Sequence, residues 1–306
     1  MGKIAFVFSG QGAQYSGMGK SLYDISSASK NLYDYAESIR QGTIEQSFKG
    51  TDEELKQTKN TQPCLYLVDL SAALALKEQG INADAVAGFS LGEIAALAFG
   101  NAYSAEDGFK IVVKRGQFMQ EASGKHDTKM AAVLKLDSET IEKVCSEFED
   151  VYPVNYNSAG QTVVAGKSDE LELFKEKMKE YPCRIIDLAV SGAFHSPFMK
   201  EASDKFSETL KEFKLSKPEI PVYANLTALP YGENVAEMLT KQIISPVRWQ
   251  KTIENMINDG VTTFIEVGAG KTLSGLIKKI SSDVKVYSVE DEGSLLETVK
   301  AVKENA

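Results

Sequence analysis

Residues 3–8, KIAFVF, form an apolar run of strand length, followed at once by the glycine-rich stretch SGQGAQYSGMG. A run of this kind, bounded by turn-forming residues, reads as a buried strand. The next long apolar segment, TQPCLYLVDLSAALALKEQG at residues 61–80, predicts a helix. Thr61 is its expected cap, Pro63 falls in the first turn where a missing N–H costs nothing, and Gly80 ends it. Residues 83–89 predict a second strand, residues 91–99 a helix, and residues 105–122 another. Strands alternating with helices imply a parallel sheet covered on both faces.

The pattern changes in the middle of the chain. A strand over 129–136 is followed by a capped helix over 137–148. Strands over 151–159 and 161–167 come next, joined through Ala159-Gly160. A charged amphipathic helix over 168–181 and a strand over 183–190 complete the order β-α-β-β-α-β, a split-βαβ or ferredoxin-like unit. The expected organisation is a large α/β subdomain made of residues 1–127 and 192–306, with a small ferredoxin-like subdomain, residues 128–191, inserted in it. After the insertion the α/β pattern resumes, with strands over 219–227 and 261–268 and helices around them. There is no internal repeat or low-complexity tract.

Composition narrows the function more than the fold. A net charge of −9 over 306 residues argues against a general nucleic-acid binder, which needs basic surface to neutralise phosphates. Three cysteines, Cys64, Cys145 and Cys183, stand far apart with no C-x-x-C spacing. They suggest neither a disulfide framework nor a zinc site, and a reducing compartment fits. The apolar run at the start is too short for a signal-peptide core, and Phe6 stands where a myristoylation signal needs Ser or Thr. No segment approaches a membrane span. A soluble, cytoplasmic α/β protein is expected.

The chemistry begins at AVAGFSLGEIAALAFG, residues 85–100, where Ser90 lies between Gly88 and Gly92 on a strand-to-helix turn. Ser90 is either a turn residue or the nucleophile of a G-x-S-x-G elbow. Two other glycine-rich stretches look like nucleotide loops and lack the required residues. EVGAGKT has Ile265 five positions before Gly270, and GQGAQY has Tyr15 where a third glycine belongs. A serine nucleophile needs a base, because its hydroxyl is nearly inert at neutral pH. Of the two histidines, His126 sits in a polar linker, whereas His195 lies in SGAFHSPFM, between a predicted strand and a helix. His195 is the expected base, and no acidic third member stands out. On the helix over 105–122, Phe109, Val112, Val113, Gly116 and Met119 form an apolar stripe with Arg115 on its flank. Arg115 is either a snorkelling side chain or a fork for a carboxylate.

Eight segments together carry a family resemblance: FVFSGQGAQYSGMG, TQP, GFSLGE, VVKRGQFMQ, NYNSAGQTVVAG, GAFHSPFM, SPVRWQ and FIEVGAGKTLSGL. In this order, over nearly the whole chain, they resemble the malonyl-CoA:acyl-carrier-protein transacylases. The resemblance implies an α/β-hydrolase-like large subdomain with a ferredoxin-like insertion. It places the nucleophile on Ser90, the base on His195 and the substrate carboxylate on Arg115. It puts the oxyanion hole on the backbone N–H groups of Gln11 and Leu91. It also puts the carbonyl that orients the histidine on Gln242, which would account for the missing acid. It implies malonyl-CoA and a phosphopantetheinylated acyl carrier protein as partners, no metal or bound cofactor, and a monomer.

Two positions depart from many relatives, Phe89 before the serine and Ser9 near the start, and neither carries a proton in the reaction. Phe89 is expected to alter how the acyl group or the pantetheine arm is held, and Phe194 to accompany malonyl rather than bulkier groups. Lys271, Lys278 and Lys279 are candidates for docking an acidic carrier. Rival readings are a serine hydrolase with the same elbow, an acyltransferase serving polyketide synthesis or malonate decarboxylation, and a scaffold that only binds the carrier.

Overall fold

The computed structural model describes residues 2–190 and 192–304; Met1, Ser191, Asn305 and Ala306, at the ends of the predicted segments, lie outside them. The chain begins with β1 (Lys3–Phe8) and then α1 (Lys20–Ile25), α2 (Ser27–Ile39), α3 (Thr43–Lys49), α4 (Asp52–Lys56) and α5 (Thr58–Glu78). It continues through β2 (Ala85–Gly88), α6 (Gly92–Phe99) and α7 (Ala105–Ser123). Next come β3 (Thr128–Leu134), α8 (Ser138–Cys145), β4 (Val151–Ser158), β5 (Gln161–Lys167), α9 (Ser168–Met178) and β6 (Arg184–Asp187). The last part holds α10 (Lys200–Leu210), β7 (Val222–Tyr223), α11 (Val235–Gln242), α12 (Trp249–Asn258), β8 (Val261–Val267), α13 (Thr272–Ile280), β9 (Lys285–Val289) and α14 (Glu292–Glu304).

Two sheets divide the strands. Five parallel strands are ordered β7-β2-β1-β8-β9, and four antiparallel strands are ordered β4-β5-β3-β6. The central strand β1 is covered on both faces, with Ala5, Phe6, Val7 and Phe8 all buried. That is why its sequence is a continuous apolar run rather than an alternating one. Phe8 pairs with both Gly88 and Val267, so β1, β2 and β8 end at one level. The segments that follow them meet at the carboxyl edge of the sheet, where open α/β sheets place their ligands.

The smaller sheet reads, in its own chain order, second, third, first, fourth, with α8 and α9 as crossovers: the ferredoxin-like arrangement. Its own core joins Ala131, Val133, Ile141, Val144, Leu171 and Phe174. The fold is thus an α/β structure with a parallel sheet and a separate antiparallel one. The two are tied where Val247 bonds β4 in both directions, Tyr156 N–H to Val247 O at 2.9 Å and Val247 N–H to Val154 O at 2.9 Å.

Several expectations need correction. Helix α5 starts at Thr58 rather than Thr61, because the side chain of Gln120, on α7, accepts the Thr58 N–H at 2.8 Å. Thr61 is therefore no cap; its hydroxyl donates back to the carbonyls of Leu55 and Gln57, and Pro63 lies inside the helix. Gly80 does end it, with φ 80° and the paired bonds Gly80 N–H to Lys77 O and Ile81 N–H to Leu76 O. Helix α6 begins at Gly92, with Leu91 as its N-cap residue. Strand β7 keeps only Val222 and Tyr223, because the chain turns back there and Ala224 N–H bonds Leu229 O. Strand β6 is likewise confined to Arg184–Asp187, and α8 and α9 end earlier than the apolar pattern indicates.

Candidate active site

The turn between β2 and α6 is shaped by close backbone contact. A Cβ on Gly88 would lie 2.0 Å from the Gly92 carbonyl carbon, and one on Gly92 would lie 2.4 Å from the carbonyl oxygens of Phe8 and Ser9. Only glycine fits at either position. Between them Ser90 has φ 53°, the left-handed region that a residue with a Cβ enters at a cost. His195 shares this feature, with φ 62°. Asn225, the second residue after β7, accepts the Ser90 N–H at 2.8 Å and donates to Gly88 O at 2.6 Å, which pins the turn from the neighbouring strand.

Ser90 Oγ lies 2.7 Å from His195 Nε2, and His195 Nδ1 lies 2.9 Å from the backbone oxygen of Gln242. A carbonyl only accepts, so Nδ1 carries the proton and Nε2 is left to accept from the serine. Burial, and then the nearby Arg115, push the His195 pKa down to about 4. The imidazole is neutral at ordinary pH and ready to take a proton.

Arg115 is fully buried in the middle of the inward face of α7, beside Ile111, Val112, Gly116 and Met119, rather than on the flank of an apolar stripe. One Nη donates to Gln62 Oε1 at 2.8 Å; the other donates to Gln242 Oε1 at 2.8 Å and to Ser90 Oγ at 3.1 Å. Its Nε has no partner among the described residues. Burial lowers its pKa to about 10, which still leaves it charged. The serine hydroxyl therefore donates to a neutral base and accepts from a cation, an arrangement that favours developing negative charge on Oγ.

A cavity of about 100 Å³ opens beside this group, walled by Gln11, Gln62, Leu91, Met119, Phe194 and His195 among others. Among the described residues neither the Gln11 nor the Leu91 N–H has an acceptor. Leu91 stands at the N-terminus of α6, where the helix dipole adds positive potential. A second cavity, of about 230 Å³, shares Gln11, Phe89, Asn155 and Leu188 with the first and reaches Thr272, Leu273 and Leu276 on α13. Phe89 packs edge-on against Trp249, with ring centroids 5.5 Å apart.

The structure thus gathers Ser90, His195, Arg115, Gln11, Leu91 and Gln242 at one place. It leaves His126 exposed elsewhere, its ring against Phe198. Lys271, Lys278 and Lys279 are exposed at and along α13. In EVGAGKT the N–H groups of Gly268 and Gly270 are taken by Val289 O and the Glu290 carboxylate, each at 3.0 Å, and just beyond it Glu266 accepts from Leu273 N–H at 3.0 Å and Ser274 N–H at 2.6 Å. No group of His, Cys, Asp or Glu able to hold a metal ion occurs among the described residues.

Sequence reasoning did not single out Gln62, Asn225 or Glu93. Two of these stand inside the quoted segments TQP and GFSLGE, and Asn225 stands just past a parallel strand, where binding residues collect.

A serine on a glycine-flanked turn and a neutral histidine beside one small cavity, with a buried arginine on the serine hydroxyl, are an arrangement suited to acyl transfer. The chain belongs to the acyl transferase domain family, whose model matches residues 5–292. Within it the chain groups with the malonyl CoA-acyl carrier protein transacylases. It is 40% identical over 317 residues to the malonyl CoA-acyl carrier protein transacylase of Bacillus subtilis strain 168, with 100% of both chains covered. The solved structure of the corresponding transacylase from Clostridium perfringens superposes with a TM-score of 0.95 at 37% identity, covering 99% of this chain and 98% of that one. A malonyl-transacylase solved in complex with its type II polyketide synthase acyl-carrier protein gives a TM-score of 0.93 at 31% identity, covering 98% and 99%.

Proposed function

We propose that this protein transfers the malonyl group of malonyl-CoA to the phosphopantetheine thiol of an acyl carrier protein, for fatty acid biosynthesis, through a malonyl ester on Ser90. The observation that carries the reading is the contact of one serine hydroxyl with both His195 Nε2 and the Arg115 guanidinium.

His195 takes the Ser90 proton as Oγ attacks the thioester carbonyl. The N–H groups of Gln11 and Leu91 meet the oxyanion, each such donor typically contributing about 3 kcal/mol in the transition state. The thiolate of coenzyme A leaves and recovers the proton from His195, and Gln242 O holds the imidazole by its Nδ1–H. The ester's free carboxylate is then within reach of Arg115, in place of the hydroxyl contact the guanidinium makes in the free enzyme. The carrier thiol enters, gives its proton to His195 and attacks the ester carbonyl; the bond to Ser90 Oγ breaks, the serine recovers that proton from His195, and the carrier departs as malonyl thioester. No step is assigned to a metal or bound cofactor.

Phe194, on the cavity wall, limits the size of the acyl group, and Phe89 guides the arm between the two cavities. Lys271, Lys278 and Lys279 offer positive charge to an acidic carrier beside the larger cavity. The reaction is assigned to the cytoplasm, and the chain to a monomer; no helix among the described residues is long and apolar enough to cross a membrane.

The test is intact mass after brief exposure to malonyl-CoA. The expected result is one malonyl increment on the wild type, none on Ser90→Ala, and discharge by the phosphopantetheinylated carrier. An increment that disappears in buffer alone makes the protein a hydrolase, and no increment at all removes the reading.

A further inference from the structure

Arg115 has no direct ion pair among the described residues, although it is fully buried. An isolated buried cation is strongly unfavourable, so its charge must be answered nearby. Three acidic residues among those described are fully buried: Asp69, Glu93 and Glu266. Asp69 bonds Ser9 and Glu266 caps α13. Glu93 alone faces the catalytic group.

The Glu93 carboxylate accepts from three donors. Tyr231 OH bonds one oxygen; Asn225 N–H at 2.9 Å and Gln242 Nε2 at 3.2 Å bond the other. The same Gln242 side chain accepts from the Arg115 guanidinium through Oε1 at 2.8 Å. A single amide therefore stands between the two charges, its donor end on the carboxylate and its acceptor end on the guanidinium. Gln242 also supplies the carbonyl against His195, and Asn225 holds the Ser90 N–H. The carboxylate thus touches both residues that fix the nucleophile and base, yet touches neither nucleophile nor base.

We propose that Glu93 is a positioning residue that neutralises Arg115 through the Gln242 side-chain amide and thereby sets how tightly the guanidinium holds an acyl carboxylate. This rests on the malonyl-transfer reading. In the free enzyme Glu93 is the only carboxylate facing Arg115 among the described residues. When the acyl carboxylate arrives, two anions share one cation, and the hold on the acyl group is weaker than Arg115 alone would give. A weaker hold suits a site that must pass its acyl group on rather than keep it.

Burial raises the Glu93 pKa to about 7 against the opposing effects of Tyr231, Asn225, Gln242 and Arg115. Tyr103, from the loop before α7, and Tyr231 are the other titratable groups facing it. The test is therefore made at pH 8.5, where the carboxylate is ionised.

The experiment measures kcat and KM for malonyl-CoA and acetyl-CoA with wild type, Glu93→Gln and Glu93→Asp. Wild type must first show the malonyl increment on Ser90; its absence would fail the transfer reading and not this one. Glutamine can keep an acceptor on Asn225 and Gln242 while donating to Tyr231, so it removes the charge and spares the shape. The expected result for Glu93→Gln is a KM for malonyl-CoA lower by about fivefold, the scale of one screened interior charge pair. Its KM for acetyl-CoA should stay within about twofold, and its kcat should fall for both donors. Glu93→Asp should retain the wild-type ratio of the two KM values. Equal KM changes for both donors, or an aspartate variant that behaves like the glutamine one, would overturn the proposal. If Glu93→Gln does not fold, Glu93→Asp decides alone: a retained ratio supports the charge role and a lost ratio refutes it.

Discussion

Replacing Arg115 by alanine tests the specificity argument most directly. The wild-type guanidinium is fully buried and holds three neutral acceptors, Gln62, Gln242 and Ser90. A malonyl carboxylate gains a charge-assisted contact there and gives up only hydration and those neutral partners. Truncating one member of a buried, hydrogen-bonded charge pair costs about 2–5 kcal/mol. The lower half of that range applies, because neutral contacts already satisfy part of the guanidinium. About 3 kcal/mol corresponds to roughly 150-fold in kcat/KM for malonyl-CoA. Acetyl-CoA offers nothing to the guanidinium, so its kcat/KM should change by less than about tenfold, and the selectivity ratio should fall by one to two orders of magnitude. The assay is the rate of acyl-serine formation in single turnover, followed by intact mass with each donor. Arg115→Lys, which keeps charge but loses the fork, should fall between. Equal losses for the two donors in Arg115→Ala would refute the reasoning and reduce Arg115 to a structural part of the Gln62–Gln242 network.

Three further outcomes follow from the geometry. Asn225→Ala removes the acceptor of the Ser90 N–H and the donor to Gly88 O, and should lower kcat by about tenfold or more with little change in KM, read in steady-state kinetics. Gly92→Ala places a Cβ 2.4 Å from two backbone oxygens that cannot yield, and should destabilise by about 3 kcal/mol or more in urea unfolding. NMR titration of the two imidazoles, with His195 assigned by its loss in His195→Gln, should give His195 a midpoint near 4, and a midpoint near 6.5 would contradict its burial. The sign for stability follows: below pH 6.5 the unfolded chain binds this proton more tightly than the folded one. Folded stability from this group is therefore lost as pH falls from 6.5 towards 4, by up to about 3 kcal/mol, and the wild type should lose more over that window than His195→Gln.

What the sequence revealed of the fold depended on how locally each element is determined. Strand β1 is legible because its burial is continuous along the element, helix α7 because its buried positions recur at helical spacing, and the β-α-β-β-α-β order in part because Asp137 caps α8 and Ala159-Gly160 joins β4 to β5. The start of α5 was not legible, since its first N–H is satisfied by Gln120, sixty-two positions along the chain. Strand β7 was overextended because an apolar run says nothing about where a tertiary turn, at Ala224 to Leu229, will stop it. The site follows the same rule. Ser90 shows in the glycines beside it. Arg115 shows as a charge within an apolar pattern, but its full burial does not, since that depends on Gln62 and Gln242 from two other helices. Asn225 and Glu93 act through partners more than a hundred positions away, so the segment and strand end that hold them do not show what they bond.

The structural cost of the site falls on the residues to which the proposed reaction gives the chemistry. Ser90 and His195 both hold left-handed backbone, and Arg115 keeps a buried Nε with no partner among the described residues. Each feature costs of order 1–3 kcal/mol and persists only where the surroundings over-determine it. The surroundings here are unusually rigid for a loop region. The elbow backbone is held by Asn225, its glycines are pressed against β1, and the histidine's partner is a main-chain carbonyl that cannot rotate away. A carboxylate in that last position would strongly favour a protonated His195; a neutral carbonyl fixes the tautomer and raises the pKa too little to offset burial and Arg115. With Arg115 close by, that keeps the imidazole a base rather than an acid at rest. It also leaves the negative charge of the site to Glu93, one amide away from the arginine and out of reach of the proton transfer itself.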